Sequence, residues 1–370
     1  MATLEFEAVR KTYGDTTALE GLDLTVGHGE FFVLLGPSGA GKTTTLKSVA
    51  GLQEIDAGRI RIGGRDVTQV EPYDRNVAMA FESYALYPQD TVFDNLVSPL
   101  RSGRNGTYTR ADQARRIELV TTTLGIAHLH ERFPRELSNG QRQRVALGRV
   151  LARPADVYLL DEPLSHLDAK LRAAMRAELK RLGEMSSTTA VYVTHDYQEA
   201  LALGDRIGVL RHGELLQVGT PSEVWNAPAD TFVARALGQP EINLLEAEVR
   251  DGRMLAASGE IDAPAPGFLE RGERVRLGLR PLDLEVAGEE RRDGRLRVNG
   301  RVALAERLGR LVELSVKVGD ASLIVVAASE RAPAEGERVA VEIPLERVHV
   351  FGAGADGEDT PRLGAARRAS

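Results

Sequence analysis

The chain has 370 residues, carries a formal net charge of −7 and contains no cysteine. This length predicts two domains. The acidic balance argues against general nucleic-acid binding, and the absence of thiols excludes disulfides and thiolate metal sites, which fits a reducing cytoplasm. We find no run of about 18 consecutive apolar residues and no signal-peptide pattern, so any membrane role is expected to come through a partner.

Strand-like and helix-like segments alternate up to about Gly238, which predicts an α/β domain over residues 1–238. In chain order, the predicted strands include Leu4–Val9, Phe31–Leu35, Val157–Leu160 and Ala190–Thr194, and the predicted helices include Arg110–Leu124, Gly140–Ala152, Asp168–Glu184 and Asp196–Leu203. At the start of the last helix, Asp196 followed three residues later by Glu199 resembles a capping box.

After about Asn243 the pattern changes to short alternating runs separated by Asp-Gly, Asn-Gly and Gly-Asp turns. Such runs are typical of small all-β barrels, so a second domain is predicted over 239–352. The last segment, 353–370, is rich in small and charged residues and in glycine. It is predicted to be a disordered tail.

The segment Gly36–Thr43 reads GPSGAGKT and matches the P-loop pattern between a strand and a helix start. Glycines let the backbone aim N–H groups at phosphate oxygens, and the helix N-terminus adds a positive field. Lys42 is expected to reach the β- and γ-phosphates as a catalytic residue, and Thr43 to hold Mg²⁺. The predicted phosphate-binding residues are Gly36, Pro37, Ser38, Gly39, Ala40, Gly41, Lys42, Thr43 and Thr44.

An apolar run, Val157–Leu160, ends in the carboxylates of Asp161 and Glu162. At the carboxyl end of a central strand, Asp161 is expected to face Mg²⁺ directly or through water. Glu162 is placed to act as the general base, because hydrolysis needs an acceptor for the proton of the attacking water. Downstream of a P-loop, this pair therefore predicts hydrolysis of ATP.

The segment from Leu137 to Arg172 reads LSNGQRQRVALGRVLARPADVYLLDEPLSHLDAKLR. It resembles the ATPase subunits of ABC transporters, most of all those of maltose-type sugar, polyol and glycerol-phosphate importers. The resemblance covers roughly Leu4–Phe351, with the motifs in the family's order. It implies an α/β P-loop ABC ATPase domain with a helical signature subdomain, followed by an all-β, OB-like regulatory and dimerisation domain. The latter lacks a basic, aromatic-rich stripe, so no nucleic-acid partner is expected.

The resemblance also implies roles for residues outside the P-loop and the acidic pair. Ser138, Gly140 and Gln141 match the signature loop, which contacts the γ-phosphate of ATP held by the opposing subunit. Tyr13 matches the aromatic residue that stacks on adenine. These residues are therefore expected to bind ATP.

Two further positions of the family lie after the acidic pair. Ser165–Asp168 matches a loop that contacts the dimer partner, and Asp168 is counted with the ATP-binding residues. His195 follows a strand-like run and matches the histidine that contacts the γ-phosphate and the attacking water. His195 is therefore expected to be catalytic.

The chain departs from the family pattern at two positions. Glu82 stands where the family usually has a glutamine that links Mg²⁺ and the attacking water to the transmembrane partner. A carboxylate is still an acceptor, so Glu82 is expected to be catalytic and a metal ligand. Asn139 replaces the usual second glycine of the signature, and asparagine tolerates left-handed backbone. These changes are compatible with a dimer of this chain and a related, non-identical ATPase subunit. The presence of Glu162 and His195 argues against an inactive site.

The expected partners follow from the resemblance. Ser83–Pro88 is expected to receive a short helix of transmembrane permease subunits. A homodimer or heterodimer would sandwich ATP and Mg²⁺ at the cytoplasmic face of the membrane, served indirectly by an extracytoplasmic solute-binding protein. The expected cargo is a carbohydrate, polyol or glycerol phosphate. Alternatives are an importer of polyamine, iron or inorganic anion, and a soluble ABC ATPase outside transport.

Overall fold

The computed structural model describes residues 2–81, 86–101, 107–165, 167–186, 189–256, 261–288, 290, 292–355 and 357–365. The chain forms two compact units, Met1–Pro221 and Ser222–Ser370. This boundary lies earlier than the predicted one, which follows residue 238. The difference arises because the guanidinium of Arg280 lies 3.8 Å from the ring centre of Trp225, which joins the segment after Pro221 to the C-terminal strands.

The N-terminal unit alternates strands and helices, as predicted. In chain order its elements are β1 (Leu4–Tyr13), β2 (Thr16–Val26), β3 (Phe31–Leu35), α1 (Lys42–Ala50), β4 (Ala57–Ile62), β5 (Arg65–Asp66), β6 (Val77–Ala80), α2 (Val92–Arg101), α3 (Arg110–Thr123), α4 (Asn139–Ala152), β7 (Val157–Asp161), α5 (Ala169–Ser186), β8 (Thr189–Thr194), α6 (Tyr197–Leu203), β9 (Arg206–Arg211) and β10 (Glu214–Gly219). Across the described parts of the whole chain, no helix has the length and apolar character needed to cross a bilayer.

The central sheet of this unit has the order β10-β9-β3-β8-β7-β6, and its strands are parallel except for the hairpin of β9 and β10. Strands β3, β7 and β8 are buried throughout, as expected for parallel strands covered on both faces. Leu35 pairs with Thr194, and Asp161 pairs with Val193. The segments that follow these three strands therefore meet at one edge of the sheet.

Two further layers complete the N-terminal unit. Strands β2, β1, β4 and β5 form an antiparallel sheet. Helices α2, α3 and α4 form the predicted helical subdomain, and α4 packs closely on α2 at Gly148. A Cβ atom at Gly148 would lie 2.9 Å from the side chain of Leu96. This close contact needs glycine, and it holds the helix that begins at the signature loop.

The C-terminal unit is mainly β-structure, as predicted. Its elements are α7 (Pro221–Asn226), which begins at the boundary, α8 (Thr231–Ala236), β11 (Asn243–Arg250), β12 (Arg253–Leu255), β13 (Ile261–Pro264), β14 (Arg274–Leu279), β15 (Glu285–Ala287), β16 (Arg295–Leu308), β17 (Leu311–Val318), β18 (Ala321–Ala328), β19 (Arg338–Pro344), β20 (His349–Gly352) and β21 (Arg362–Ala365). The described pairings among β11–β21 are antiparallel. Alternate side chains, such as Val312, Leu314 and Val316, enter one buried core.

The prediction of a disordered tail over 353–370 is wrong at β21, because this strand pairs with β20. The nearly buried side chain of Arg276 holds the segment before β21. It donates hydrogen bonds to the carbonyl oxygens of Gly354, Ala355 and Glu358 at 2.6, 2.7 and 2.7 Å. Composition could not reveal this order, because the donor lies on β14, far upstream in the chain.

Candidate active site

The phosphate loop leaves β3 after Leu35 and enters α1 at Lys42. Gly39 and Gly41 have φ angles of 80° and 106°, which favour glycine. A Cβ atom at Gly41 would also lie 2.3 Å from the carbonyl oxygen of Ala18. Gly41 caps α1 without a side-chain hydrogen bond, so the first helical N–H groups remain donors for an anion. Of the other predicted residues, Pro37, Ser38 and Thr43 are exposed, Thr44 is half-buried, and Gly36 and Ala40 are buried.

The ammonium of Lys42 lies over this loop. Its Nζ donates to the carbonyl oxygens of Gly36 and Pro37 at 2.9 and 3.0 Å and lies 3.5 Å from a carboxylate oxygen of Glu162. The side chain is only 6% exposed, so little water screens its charge. A phosphate in the loop would therefore meet a fixed positive charge.

The hydroxyl of Thr43 donates to Oδ1 of the buried Asp161 at 3.1 Å. A hydroxyl beside a carboxylate is a hard oxygen pair of the kind that Mg²⁺ prefers. In the described ranges, no group of three or more histidine and acidic side chains could hold a metal by itself. The pair fits Mg²⁺ that also takes phosphate and water oxygens, which is the usual way this ion is bound. Glu82, the third predicted ligand, lies outside the described residues.

Glu162 and His195 meet at the same edge of the sheet. Nδ1 of His195 lies 2.8 Å from Oε2 of Glu162. Glu162 has a φ angle of 44°, which is strained for a residue other than glycine. Hydrogen bonds hold this backbone: its N–H donates to Val193 at 3.1 Å, and its carbonyl accepts from the Ser165 hydroxyl at 2.9 Å. The carboxylate is thus aimed by backbone contacts rather than by a flexible loop.

The signature loop forms the start of α4. Ser138 is the N-cap: its hydroxyl accepts from the N–H of Gln141 at 3.3 Å, while Oε1 of Gln141 accepts from the N–H of Ser138 at 2.9 Å. Asn139 is the first helical residue, and its Oδ1 accepts from Arg142 at 2.6 Å. The replaced glycine is therefore not needed for left-handed backbone here. A Cβ atom at Gly140 would lie 3.3 Å from the side chain of Leu167.

Asp168 has a local structural role. Its Oδ1 accepts from the N–H of Leu171 at 2.9 Å, and its carbonyl accepts from the N–H of Arg172 at 2.8 Å. These bonds satisfy donors at the start of α5. Its neighbour His166 lies outside the described residues.

Tyr13 ends β1 and pairs with Thr16 across the hairpin to β2. Its ring is 45% exposed, so a face is available for stacking. Asp56 holds the strand end: its carboxylate accepts from Lys11 Nζ at 2.7 Å and from the N–H and hydroxyl of Thr12 at 2.6 and 2.7 Å. The side chains of Lys11 and Thr12 lower the pKa of Asp56 from 3.8 to about 2.

Both domains of this chain are similar in sequence to known proteins. The ABC transporter family profile matches residues 19–165, and that of the TOBE domain matches residues 277–351. The trehalose/maltose import ATP-binding protein MalK of Thermococcus litoralis is 43% identical, over 95% of this chain and 98% of that protein. The sn-glycerol-3-phosphate import ATP-binding protein UgpC of Rhodopseudomonas palustris is 42% identical, over 95% and 98%. This chain belongs to the ATP-binding subunits of ABC importers.

Solved structures support the fold of the ATPase domain of this ABC subunit. The dimeric, post-hydrolysis ATP-binding cassette MJ0796, bound to ADP and Pi, is 29% identical with a TM-score of 0.54. The aligned region covers 59% of this chain and 98% of the MJ0796 chain. A second dimeric structure of MJ0796, a bacterial ABC transporter cassette, has a TM-score of 0.55. The TOBE match agrees with the predicted OB-like C-terminal domain.

The ABC subunit brings together only some of its predicted site residues. Hydrogen bonds and ion pairs join Lys42 to Glu162, Thr43 to Asp161 and His195 to Glu162 at one edge of the sheet. Among the described residues, no hydrogen bond joins the signature residues to the P-loop. The side chains of Ser138 and Gln141 instead bond to each other's backbone N–H groups, within one turn of α4.

Two acidic residues have roles that the sequence pattern does not predict, Asp56 and Glu199. Asp196 is the N-cap of α6 as predicted, but Glu199 does not complete a capping box. Its carboxylate turns inward and accepts from the hydroxyls of Tyr192 and Thr194, both at 2.8 Å. No sequence signal identified Asp56, whose partners lie on β1.

The low pKa of Asp56 predicts a pH-dependent contribution to stability. Because its folded pKa, about 2, is below the ordinary value of 3.8, the contribution is present above about pH 4 and is lost as pH falls toward 2. We expect Asp56→Ala to lower the urea midpoint at about pH 6, and by less at about pH 3. Asp15→Ala, in the next turn, is the control. An equal difference at both pH values would show that the charge of Asp56 does not hold β1.

Proposed function

We propose that this chain hydrolyses ATP to drive uptake of a carbohydrate, polyol or glycerol phosphate. The observation that carries the proposal is the convergence of Lys42, Thr43, Asp161, Glu162 and His195 where β3, β7 and β8 end. Such an edge, with a P-loop and paired carboxylates, suits phosphoryl transfer to water.

Each of these residues has a task that its position supports. The loop N–H groups and Lys42 would hold the phosphates. Thr43 and Asp161 would hold Mg²⁺, which supplies positive charge to the phosphate oxygens. Glu162 would take a proton from the attacking water.

The hydrogen bond to Glu162 also indicates which ring nitrogen of His195 carries a proton. An ionised carboxylate only accepts, so Nδ1 of His195 carries the proton of this bond. In neutral imidazole, Nε2 is then an acceptor and can orient the attacking water. With a side chain 58% exposed, His195 remains accessible to a nucleotide.

We further propose that each ATP lies between two subunits. Ser138, Gly140 and Gln141 form a helix start at which the Ser138 hydroxyl accepts within the cap and can still donate to the γ-phosphate of ATP on a second subunit. The dimeric state of the MJ0796 cassette, bound to ADP and Pi, supports such an arrangement. Asp168 then acts by shaping the loop between the acidic pair and α5.

Transmembrane permease subunits are the proposed partners, docking near Ser83–Pro88 on the cytoplasmic face of the membrane. Tyr87 is 47% exposed, and its backbone is fixed by the buried Asn95, which accepts from its N–H at 2.8 Å and donates to its carbonyl at 3.0 Å. An exposed aromatic ring on a rigid backbone suits helix docking. We propose that Glu82, just before this segment, links Mg²⁺ to the permease.

The relatives favour the proposed cargo. MalK of Thermococcus litoralis is named for trehalose and maltose, and UgpC of Rhodopseudomonas palustris for sn-glycerol 3-phosphate. The choice among these cargoes lies with the solute-binding protein and the permeases. The test is ATP hydrolysis in vesicles that contain those partners, measured with each candidate cargo. We expect a carbohydrate, polyol or glycerol phosphate to stimulate hydrolysis, and polyamine, iron or inorganic anions not to do so.

Glu162→Gln tests the hydrolytic role directly. The amide cannot take the proton from water, so we expect turnover to fall by about a hundredfold or more with ATP binding retained. An ATP-bound dimer should accumulate. Glu178→Gln, an acidic residue of α5, is the control. Hydrolysis at the parent rate in Glu162→Gln would refute this role.

Tyr13→Ala tests adenine stacking. Loss of a base–aromatic contact should weaken ATP affinity by about 1–3 kcal/mol, whereas Tyr13→Phe keeps a ring and should have little effect. Calorimetric titration of ATP into both variants measures the difference. If the alanine variant bound ATP as tightly as the parent, adenine would not stack on Tyr13.

A further inference from the structure

Glu199 is a buried acidic residue one turn into α6, with 3% of its surface exposed. A single oxygen, Oε2, accepts from the hydroxyls of Tyr192 and Thr194, both at 2.8 Å. Burial raises the pKa of Glu199, and burial together with Glu199 raises that of Tyr192 well above its ordinary value. Burying an acidic side chain is costly unless it is hydrogen-bonded, and perturbed acidic groups cluster at functional sites.

Thr194 carries the connection toward the active site. Its hydroxyl donates to Glu199 and at the same time accepts from the N–H of Asp196 at 3.0 Å. Asp196 then caps α6, with its Oδ1 accepting from the N–H of Gln198 at 2.8 Å. The residues on both sides of His195 are thus held by one hydrogen-bonded chain that ends at Glu199.

A small cavity borders the turn that carries His195. Its volume is about 30 Å³, large enough for a water molecule. It is lined by Glu162, Ser165, Arg172, Thr194, His195, Asp196 and Glu199. The side chain of His195 is itself 58% exposed. The hydrogen bonds of His195 and of its two neighbours are therefore well placed to orient the ring.

The guanidinium of Arg172 faces both carboxylates of this network. Nη1 of Arg172 lies 3.4 Å from Oδ2 of Asp196, and its Nε lies 4.0 Å from Oε1 of Glu199. Oε1 of Glu199 thus faces a positive charge while Oε2 accepts the two hydroxyls. The two oxygens of Glu199 therefore have different partners, and Oε2 is the acceptor that Thr194 uses.

We propose that Glu199 is a positioning residue that, through the Thr194 hydroxyl, holds His195 within hydrogen-bond distance of Glu162. The inference rests on the proposed ATP hydrolysis. It predicts that loss of the Thr194 hydroxyl lowers turnover only because His195 moves. ATP binding at the P-loop should be unaffected.

The experiment is a double-mutant cycle in Mg-ATP hydrolysis by the full chain. Thr194→Val should lower kcat about ten- to a hundredfold, the scale for displacing a reacting group by about an ångström, with KM for ATP unchanged. Thr194→Ser, which keeps the hydroxyl, should restore most of kcat. In His195→Ala, adding Thr194→Val should cause no further loss.

Thr189→Val is the matched control, because Thr189 is equally buried at the other end of β8 and its hydroxyl donates to Ala2 at 2.6 Å. It should leave kcat unchanged. Glu199→Leu, which removes the acceptor, should behave as Thr194→Val does, and provides a second route if that variant does not fold. Parent kcat in Thr194→Val, or losses that add to those of His195→Ala, would overturn the positioning role. A parent chain without ATP hydrolysis would instead overturn the proposed function.

Discussion

The parallel register of β3, β8 and β7 is the constraint on which the active site depends. Leu35 pairs with Thr194, and Asp161 with Val193, so the three strands end within one residue of one another. A slip of one residue would turn every side chain of a strand to the opposite face and move its end by about 3.3 Å. Glu162 would then lose its contact with His195. The chemistry is thus set by long-range pairing between segments far apart in sequence.

The site concentrates charge and strain that the surrounding backbone must offset. Lys42 is nearly buried beside Glu162, and Asp161 is buried next to Thr43. The left-handed backbone of Glu162 costs roughly 1–3 kcal/mol, and hydrogen bonds to Val193 and from Ser165 hold it in place. Strain of this kind persists where it aims a reacting group, here the carboxylate that faces His195.

Local patterns predicted much of this arrangement. The P-loop was predictable because glycine, lysine and threonine act within one strand–loop–helix unit, and the helix start at Ser138 because its cap uses neighbouring residues. Contacts over long sequence separations were not predictable. Asp56 binds β1 from a different segment, and Arg276 orders a tail whose composition suggested disorder. Glu199 had the spacing of a capping residue, yet the hydroxyls on β8 offered a better-placed pair of donors.

We propose that ATP lies between the P-loop of one subunit and the signature loop of another, and a cross-link between the two loops tests this directly. The chain has no cysteine, so an introduced cysteine has no native thiol to compete with it for cross-linking. One Glu162→Gln chain would carry Ser38→Cys, in the exposed part of the P-loop, and another Ser138→Cys. When the two are mixed under mild oxidation, we expect a disulfide between chains that forms with Mg-ATP and not without it. No ATP-dependent link between chains, or a link within one chain carrying both cysteines, would contradict it.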